Sequence, residues 1–136
     1  MLSSATSSEP PRVLLVDDNE PILKRAAALL APGCQIVGAV TDGRAAVDAA
    51  DRLHPDVIVL DISMPGMSGL EVASTLRAHG SQAAVVFLTV HDEEDIVQAA
   101  QAAGAIGYVV KRRLVSDLPA AVTAARAGRR FVSQVS

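Results

Sequence analysis

The chain has 136 residues, enough for one domain to bury a sizeable core without staples. Half of it is hydrophobic but only 2% is aromatic, so the core must be aliphatic, built from Ala, Val, Leu and Ile. A net charge of −3 excludes a broad basic field for nucleic acid, and a single cysteine, Cys34, excludes an internal disulfide and fits a reducing cytoplasm.

In chain order, residues 1–11 are rich in Ser, Thr and Pro and lack the charged start and apolar stretch of a signal peptide, so they are expected to form a disordered tail. No apolar run approaches the roughly 20 residues needed to cross a bilayer, and a cytoplasmic protein with no membrane partner is expected. Val13–Val16 is the first of five short apolar runs. A helix follows, with Pro21 at its start and Ile22, Leu23, Leu29 and Leu30 at core-facing intervals. Cys34 then precedes the run Ile36–Val40 and reads as a half-buried core residue. The spacing predicts a helix over Gly43–Leu53, a strand over Val57–Leu60 and a helix over Gly69–His79. Val85–Leu88 is the fourth run. Glu93–Ala103 is the next helix, and the acidic stretch Asp92–Asp95 suits its N-terminus. Tyr108–Val110 is the fifth run. A fifth helix is expected to start after Ser116 as N-cap, to hold Pro119 in its first turn, and to stop at Gly128.

The runs are β-branched and mostly continuous, the pattern of strands buried on both faces of a parallel sheet. A β-α unit repeated five times implies an α/β fold with helices on both sides of the sheet. Ligands in such folds bind beyond the carboxyl ends of the strands. Asp17 and Asp18 follow the first run, Asp61 the third, Thr89 the fourth and Lys111 the fifth. Taken singly, each has an ordinary reading: Asp17 or Asp18 as a helix cap, Asp61 as a turn residue before Pro65, Thr89 as a strand end, Lys111 as a solvated lysine. Their shared position changes the reading. Three crowded carboxylates repel one another unless a cation neutralises them, and a hard divalent ion such as Mg2+ suits oxygen ligands.

From about Arg12 to Gly128 the chain resembles response-regulator receiver domains. The matching stretches are Val13–Asp18, Asp56–Asp61 continuing through Met64-Pro65-Gly66 to Gly69, then Thr89, and Gly104–Lys111. The resemblance implies a flavodoxin-like (βα)5 three-layer sandwich with a five-stranded parallel sheet in the order 2-1-3-4-5. It implies a phosphoacceptor signalling domain rather than a turnover enzyme, one that catalyses only its own phosphorylation and dephosphorylation. Asp61 would take a phosphoryl group from a sensor histidine kinase. Asp17, Asp18, Asp61 and the backbone carbonyl of Ser63 would hold Mg2+, and Lys111 would neutralise the phosphoryl oxygens. Thr89 and Tyr108 would form the switch, with Tyr108 turning from exposed to buried. The ending Gly128–Ser133 resembles the NarL/FixJ (LuxR-type) class, whose receivers lead into a helix-turn-helix domain. Residues 129–136 are therefore expected to begin a linker, with DNA reached only through an output domain outside this chain. The alternative is a stand-alone receiver acting by protein–protein interaction. Homodimerisation through the fifth-helix face, or the first and fifth helices, is a further expectation.

Several residues depart from the family pattern or have plainer roles. Arg112 follows Lys111 where the family often has Pro, so a trans bond is expected. Val90 is larger than the Ala or Gly common in the family after the switch threonine, and Ser63 and His91 occupy positions that the resemblance implies would tune dephosphorylation, although His91 taken alone reads as a solvated loop histidine. His54 and His79 read as surface residues, Met64 and Met67 as packing residues. Arg112-Arg113 and Arg129-Arg130 are too few for direct DNA binding. A haloacid-dehalogenase-like phosphatase would need Asp-x-Asp after the first strand and a cap domain. An FMN module is disfavoured because Asp17-Asp18-Asn19-Glu20 would repel the FMN phosphate.

Overall fold

Three helices are opened by side chains that satisfy otherwise free backbone N–H groups. Asn19 Oδ1 accepts from Ile22 N–H at 3.1 Å, and Asp42 Oδ1 accepts from Ala45 N–H at 2.8 Å. Ser68 Oγ accepts from Glu71 N–H at 3.2 Å while Glu71 Oε1 accepts from Ser68 N–H at 3.0 Å, a complete capping box. These caps start α1 (Glu20–Leu30), α2 (Gly43–Leu53) and α3 (Gly69–Ala78). The computed structural model describes residues 9–90 and 94–133. In it the helices alternate with β1 (Arg12–Val16), β2 (Gln35–Val40), β3 (Val57–Asp61) and β4 (Ala84–Thr89). Then come α4 (Glu94–Ala102), β5 (Gly107–Val110), a 3-10 turn over Lys111–Arg113, α5 (Leu114–Arg126) and β6 (Phe131–Val132).

All strands pair in parallel, in the order β2-β1-β3-β4-β5-β6. The five expected strands take the expected order, and β6 is an addition beside β5. Alternate side chains of the sheet go to opposite faces. Leu14, Val16, Ile58, Leu60, Phe87 and Tyr108 pack against α2, α3 and α4. Val13, Leu15, Val57, Val59, Leu88 and Val109 pack against α1 and α5. β3 is buried throughout and β4 in all but its first residue, as their continuous apolar runs require, whereas β2 lies at an edge and is only partly covered. Met64 is buried, Met67 packs partly buried beside it, and Cys34 is half-buried. Among the described residues, no helix is long and apolar enough to cross a membrane, and no peptide bond is cis, the Lys111–Arg112 bond included.

Three details differ from the sequence-based expectation. The fifth helix begins at Leu114, not after Ser116, because the preceding 3-10 turn runs straight into it, with Leu114 N–H donating to the Lys111 carbonyl. Pro119 accordingly lies inside the helix, where it removes the one hydrogen bond its N–H would have made. Ser116 serves no cap; its Oγ donates to Asp117 Oδ1 at 3.0 Å. Second, the chain does not leave the fold at Gly128. That glycine, at φ +78°, ends α5, with Arg129 N–H returning to the Ala124 carbonyl at 2.8 Å, and the backbone then pairs as β6. Third, the sheet's hydrogen bonding begins before Arg12: Pro11 is buried and its carbonyl accepts from Gln35 N–H at 2.9 Å, while Arg126 donates to the Glu9 carbonyl. The expectations for residues 1–8, for His91, and for Asp92 and Glu93 of the acidic stretch lie outside the described residues.

Candidate functional site

The parallel register brings the ends of β1, β3, β4 and β5 to one edge of the sheet. Asp17 follows β1 directly; its N–H donates to the Val40 carbonyl at 3.1 Å, and its Oδ1 accepts from Asn19 N–H at 2.9 Å. Asp61 closes β3, and Ser63 N–H donates to its Oδ1 at 3.2 Å. Asp17 is 0% and Asp61 2% exposed, so both carboxyls sit in the protein rather than on it. Asp18 is exposed at the rim. Ligand oxygens of Asp17, Asp18 and Asp61 lie within 4.8 Å of one another.

Among the described residues, Lys111 is the cation ion-paired with this set. Lys111, at the start of the turn after β5, places Nζ 2.9 Å from Asp17 Oδ2 and 3.5 Å from Asp61 Oδ1. The Asp17 contact is close but off the hydrogen-bonding direction: Oδ2 is ion-paired, yet it is buried without a directed hydrogen bond. Desolvation and then the Asp17 carboxylate push the Asp61 carboxyl up to about 7, against the opposing pull of Lys111 and of the Ser63 N–H. A cavity of about 350 Å³ opens onto the group, lined by Asp18, Asn19, Asp61, Ser63, Val90 and Lys111.

The residues fit a hard divalent cation. Three carboxylates converge against one ammonium, and a buried carboxylate oxygen lacks a directed donor. Among the described residues this is the sole such cluster of acidic, His or Cys groups.

Of the residues singled out in the sequence, Asp17, Asp18, Asp61, Ser63 and Lys111 are brought together. Thr89 is at the same edge but buried, 1% exposed, in register with Val110; it is the next residue, Val90, that faces the cavity, 65% exposed. Tyr108 lies further back along β5, 3% exposed among the side chains of the α2–α4 face, the buried one of the two positions expected for it. His54 and His79 are exposed, on the far edge of the sheet, where His79 Nδ1 lies 3.0 Å from Asp51 Oδ2.

Two contributors were not legible as such. Asn19 both caps α1 and fixes Asp17 through its N–H; the Pro two residues later was the signal for the cap. Gly69 packs its Cα against the backbone of Asp61: a Cβ there would lie 2.2 Å from the Asp61 carbonyl oxygen. The sequence marked Gly69 as part of a motif but not the contact that makes it necessary.

A parallel sheet in this order, with acids and a lysine gathered at its carboxyl edge, defines a flavodoxin-like α/β receiver. The chain belongs to the response regulator receiver domain family, whose model matches residues 13–123. It is 42% identical over 122 residues to the nitrate/nitrite response regulator protein NarP of Escherichia coli, covering 88% of this chain and 55% of that protein. It is 36% identical over 132 residues to NarL of the same organism, covering 95% of this chain and 61% of the relative. The chain thus spans a little over half the length of these relatives. Among solved structures, the signal receiver domain of a NarL response regulator from Mycobacterium tuberculosis matches with a TM-score of 0.85 and 32% identity, over 89% of this chain and 99% of that one. The family that the residues resemble is borne out, and so is the sheet order that this resemblance implies. As a receiver, the chain is a signalling domain.

Proposed function

We propose that this receiver accepts a phosphoryl group on Asp61 from the phosphohistidine of a sensor histidine kinase. The observation that supports this most directly is the placement of Asp61: a nearly buried carboxyl at the end of a central strand, opening onto a cavity and 3.5 Å from the Lys111 ammonium. An Asp61 carboxylate oxygen forms the new bond to phosphorus as the bond to the kinase imidazole nitrogen breaks, and the electron pair leaves on that nitrogen. Lys111 acts as a point charge beside the phosphoryl oxygens, so the chemistry is positioning and charge stabilisation. Asp17, Asp18, Asp61 and the Ser63 carbonyl would hold Mg2+, which when bound supplies Lewis-acid neutralisation of the phosphoryl charge. Water later cleaves the acyl phosphate and regenerates the carboxylate.

In the same reading Thr89 is the switch hydroxyl, which bonds a phosphoryl oxygen and draws its loop inward. Tyr108 occupies the space that this movement opens, and the face of α4, β5 and α5 changes shape. The partner so controlled is a DNA-binding output domain carried by a longer protein, in keeping with the chain spanning 55% and 61% of NarP and NarL. Action in the cytoplasm and self-association through α1 and α5 complete the proposal. Its test is Asp61→Asn incubated with acetyl phosphate: acid-labile phosphate should appear in the parent chain and be absent from the variant. Equal incorporation in both would overturn the assignment.

A further inference from the structure

The two ends of the 3-10 turn after β5 are tied to different groups. At its start, Lys111 reaches Asp17 and Asp61. At its end, Arg113 Nε donates to Asp117 Oδ2 at 2.9 Å. Asp117 is a buried residue of α5, 7% exposed, and takes two more donors: Ser133 Oγ at 2.7 Å and Ser116 Oγ at 3.0 Å. Burial pushes its carboxyl up, but these donors outweigh burial and hold it below the usual carboxylate range. Ser133 Oγ, having given its hydrogen to Asp117, accepts from the N–H of Val110 at 3.1 Å. Val110 is the residue immediately before Lys111. The turn that carries Lys111 is therefore bracketed: Ser133 holds the backbone on one side of it, and Asp117 holds Arg113 on the other.

Ser133 is also the last described residue. Its own N–H donates to the Tyr108 carbonyl at 2.9 Å, continuing the β6 pairing. Two residues of β6 add little to the sheet, and a buried carboxylate with three donors is not needed to seal an aliphatic core. We propose that Asp117 and Ser133 are positioning residues for Lys111, forming a latch that couples the acidic pocket to the end of β6 at Ser133. Loading the pocket turns Lys111 from Asp17 toward the incoming phosphoryl oxygens, and a closed latch holds the turn in the place that this requires. By linkage, whatever the latch contributes to binding in the pocket, binding returns to the latch by the same factor.

The inference rests on the phosphoacceptor reading, so the experiment separates the two. The 136-residue chain and its Ser133→Ala, Ser133→Thr and Asp117→Asn variants are titrated with beryllofluoride, a phosphoryl mimic, in the presence of Mg2+ and followed by fluorine NMR. Amide hydrogen exchange of Phe131 and Ser133 is recorded with and without the mimic. Ser133→Ala and Asp117→Asn are expected to weaken beryllofluoride binding about five-fold or more, the lower end of ordinary coupling between sites, with Ser133→Thr near the parent. Loading the parent chain is expected to slow exchange at Ser133 by about five-fold or more. Unchanged affinity in both weakened variants overturns the latch. Unchanged exchange at Ser133 on loading does so too, and needs no variant to fold. A purely structural network would lower the unfolding temperature while moving neither readout. A parent chain that takes up no beryllofluoride overturns the phosphoacceptor reading itself, and the latch with it.

Discussion

Lys111 sits nearer to Asp17 than to Asp61: its ammonium is 2.9 Å from Asp17 Oδ2 and 3.5 Å from Asp61 Oδ1. The lysine thus holds together two carboxyls that would otherwise repel in a place with little water. Removing one member of such a group leaves buried charge uncompensated. Lys111→Met is expected to destabilise the metal-free chain by about 2–3 kcal/mol at pH 8, below the usual range for a fully buried pair because water reaches the ammonium. Urea unfolding without divalent ions measures it. A variant as stable as the parent would show that the ammonium contributes nothing to holding the pocket.

The raised Asp61 carboxyl gives a prediction with a definite sign. Its folded value of about 7 lies above the unfolded value of roughly 3.9. Between those values the folded chain binds the proton more tightly, so its contribution to stability falls as pH rises from about 4 to about 7 and stays low above that. Asn cannot ionise. Asp61→Asn should therefore be more stable than the parent by on the order of 4 kcal/mol at pH 8 in metal-free buffer, and should lose that advantage toward pH 4. Unfolding curves at both pH values decide it; a difference independent of pH would mean that the carboxyl is not strained.

Magnesium should reverse that balance. An ion that binds the folded chain and not the unfolded one stabilises by about 2.7 kcal/mol at a concentration one hundred times its dissociation constant. The increase in unfolding temperature is expected in the parent and largely absent from Asp17→Asn, whose side chain contributes a buried ligand oxygen. The same increase in both would place the ion elsewhere.

Gly69 supplies a test that changes no charge. A methyl group 2.2 Å from the Asp61 carbonyl oxygen must displace either the start of α3 or the strand end that presents Asp61. Gly69→Ala is expected to cost about 2–3 kcal/mol, as overpacking does, and to slow labelling by acetyl phosphate. Gly33→Ala, where nothing lies within 4 Å, is the control and should do neither. Equal behaviour of the two would remove Gly69 from the architecture of the site.

The legible part of this molecule is the part governed by repetition. Strands buried on both faces must be apolar along their length, so Val57–Leu60 and Val85–Leu88 announced themselves, and the polar residues that ended them were conspicuous by contrast. Asp17, Asp61, Thr89 and Lys111 were found that way. Features resting on a single contact were not. β6 has two residues, too few for any period to show. The start of α5 has no side-chain cap, so Ser116 looked like the better boundary. Asp117 is not among the residues singled out in the sequence, because no motif or period announces that Arg113, Ser116 and Ser133 converge on it.

Phe87 and Tyr108 are register partners on adjacent strands, both turned toward the α2–α4 face. Since the chain has one tyrosine and no tryptophan, its tyrosine emission comes from that ring alone. A tyrosine shielded from solvent resists collisional quenching by acrylamide, and here no tryptophan masks its emission. The molecule therefore carries its own optical gauge at the strand beside the pocket, and any rearrangement that brings the ring to the surface can be followed in real time without attaching a dye.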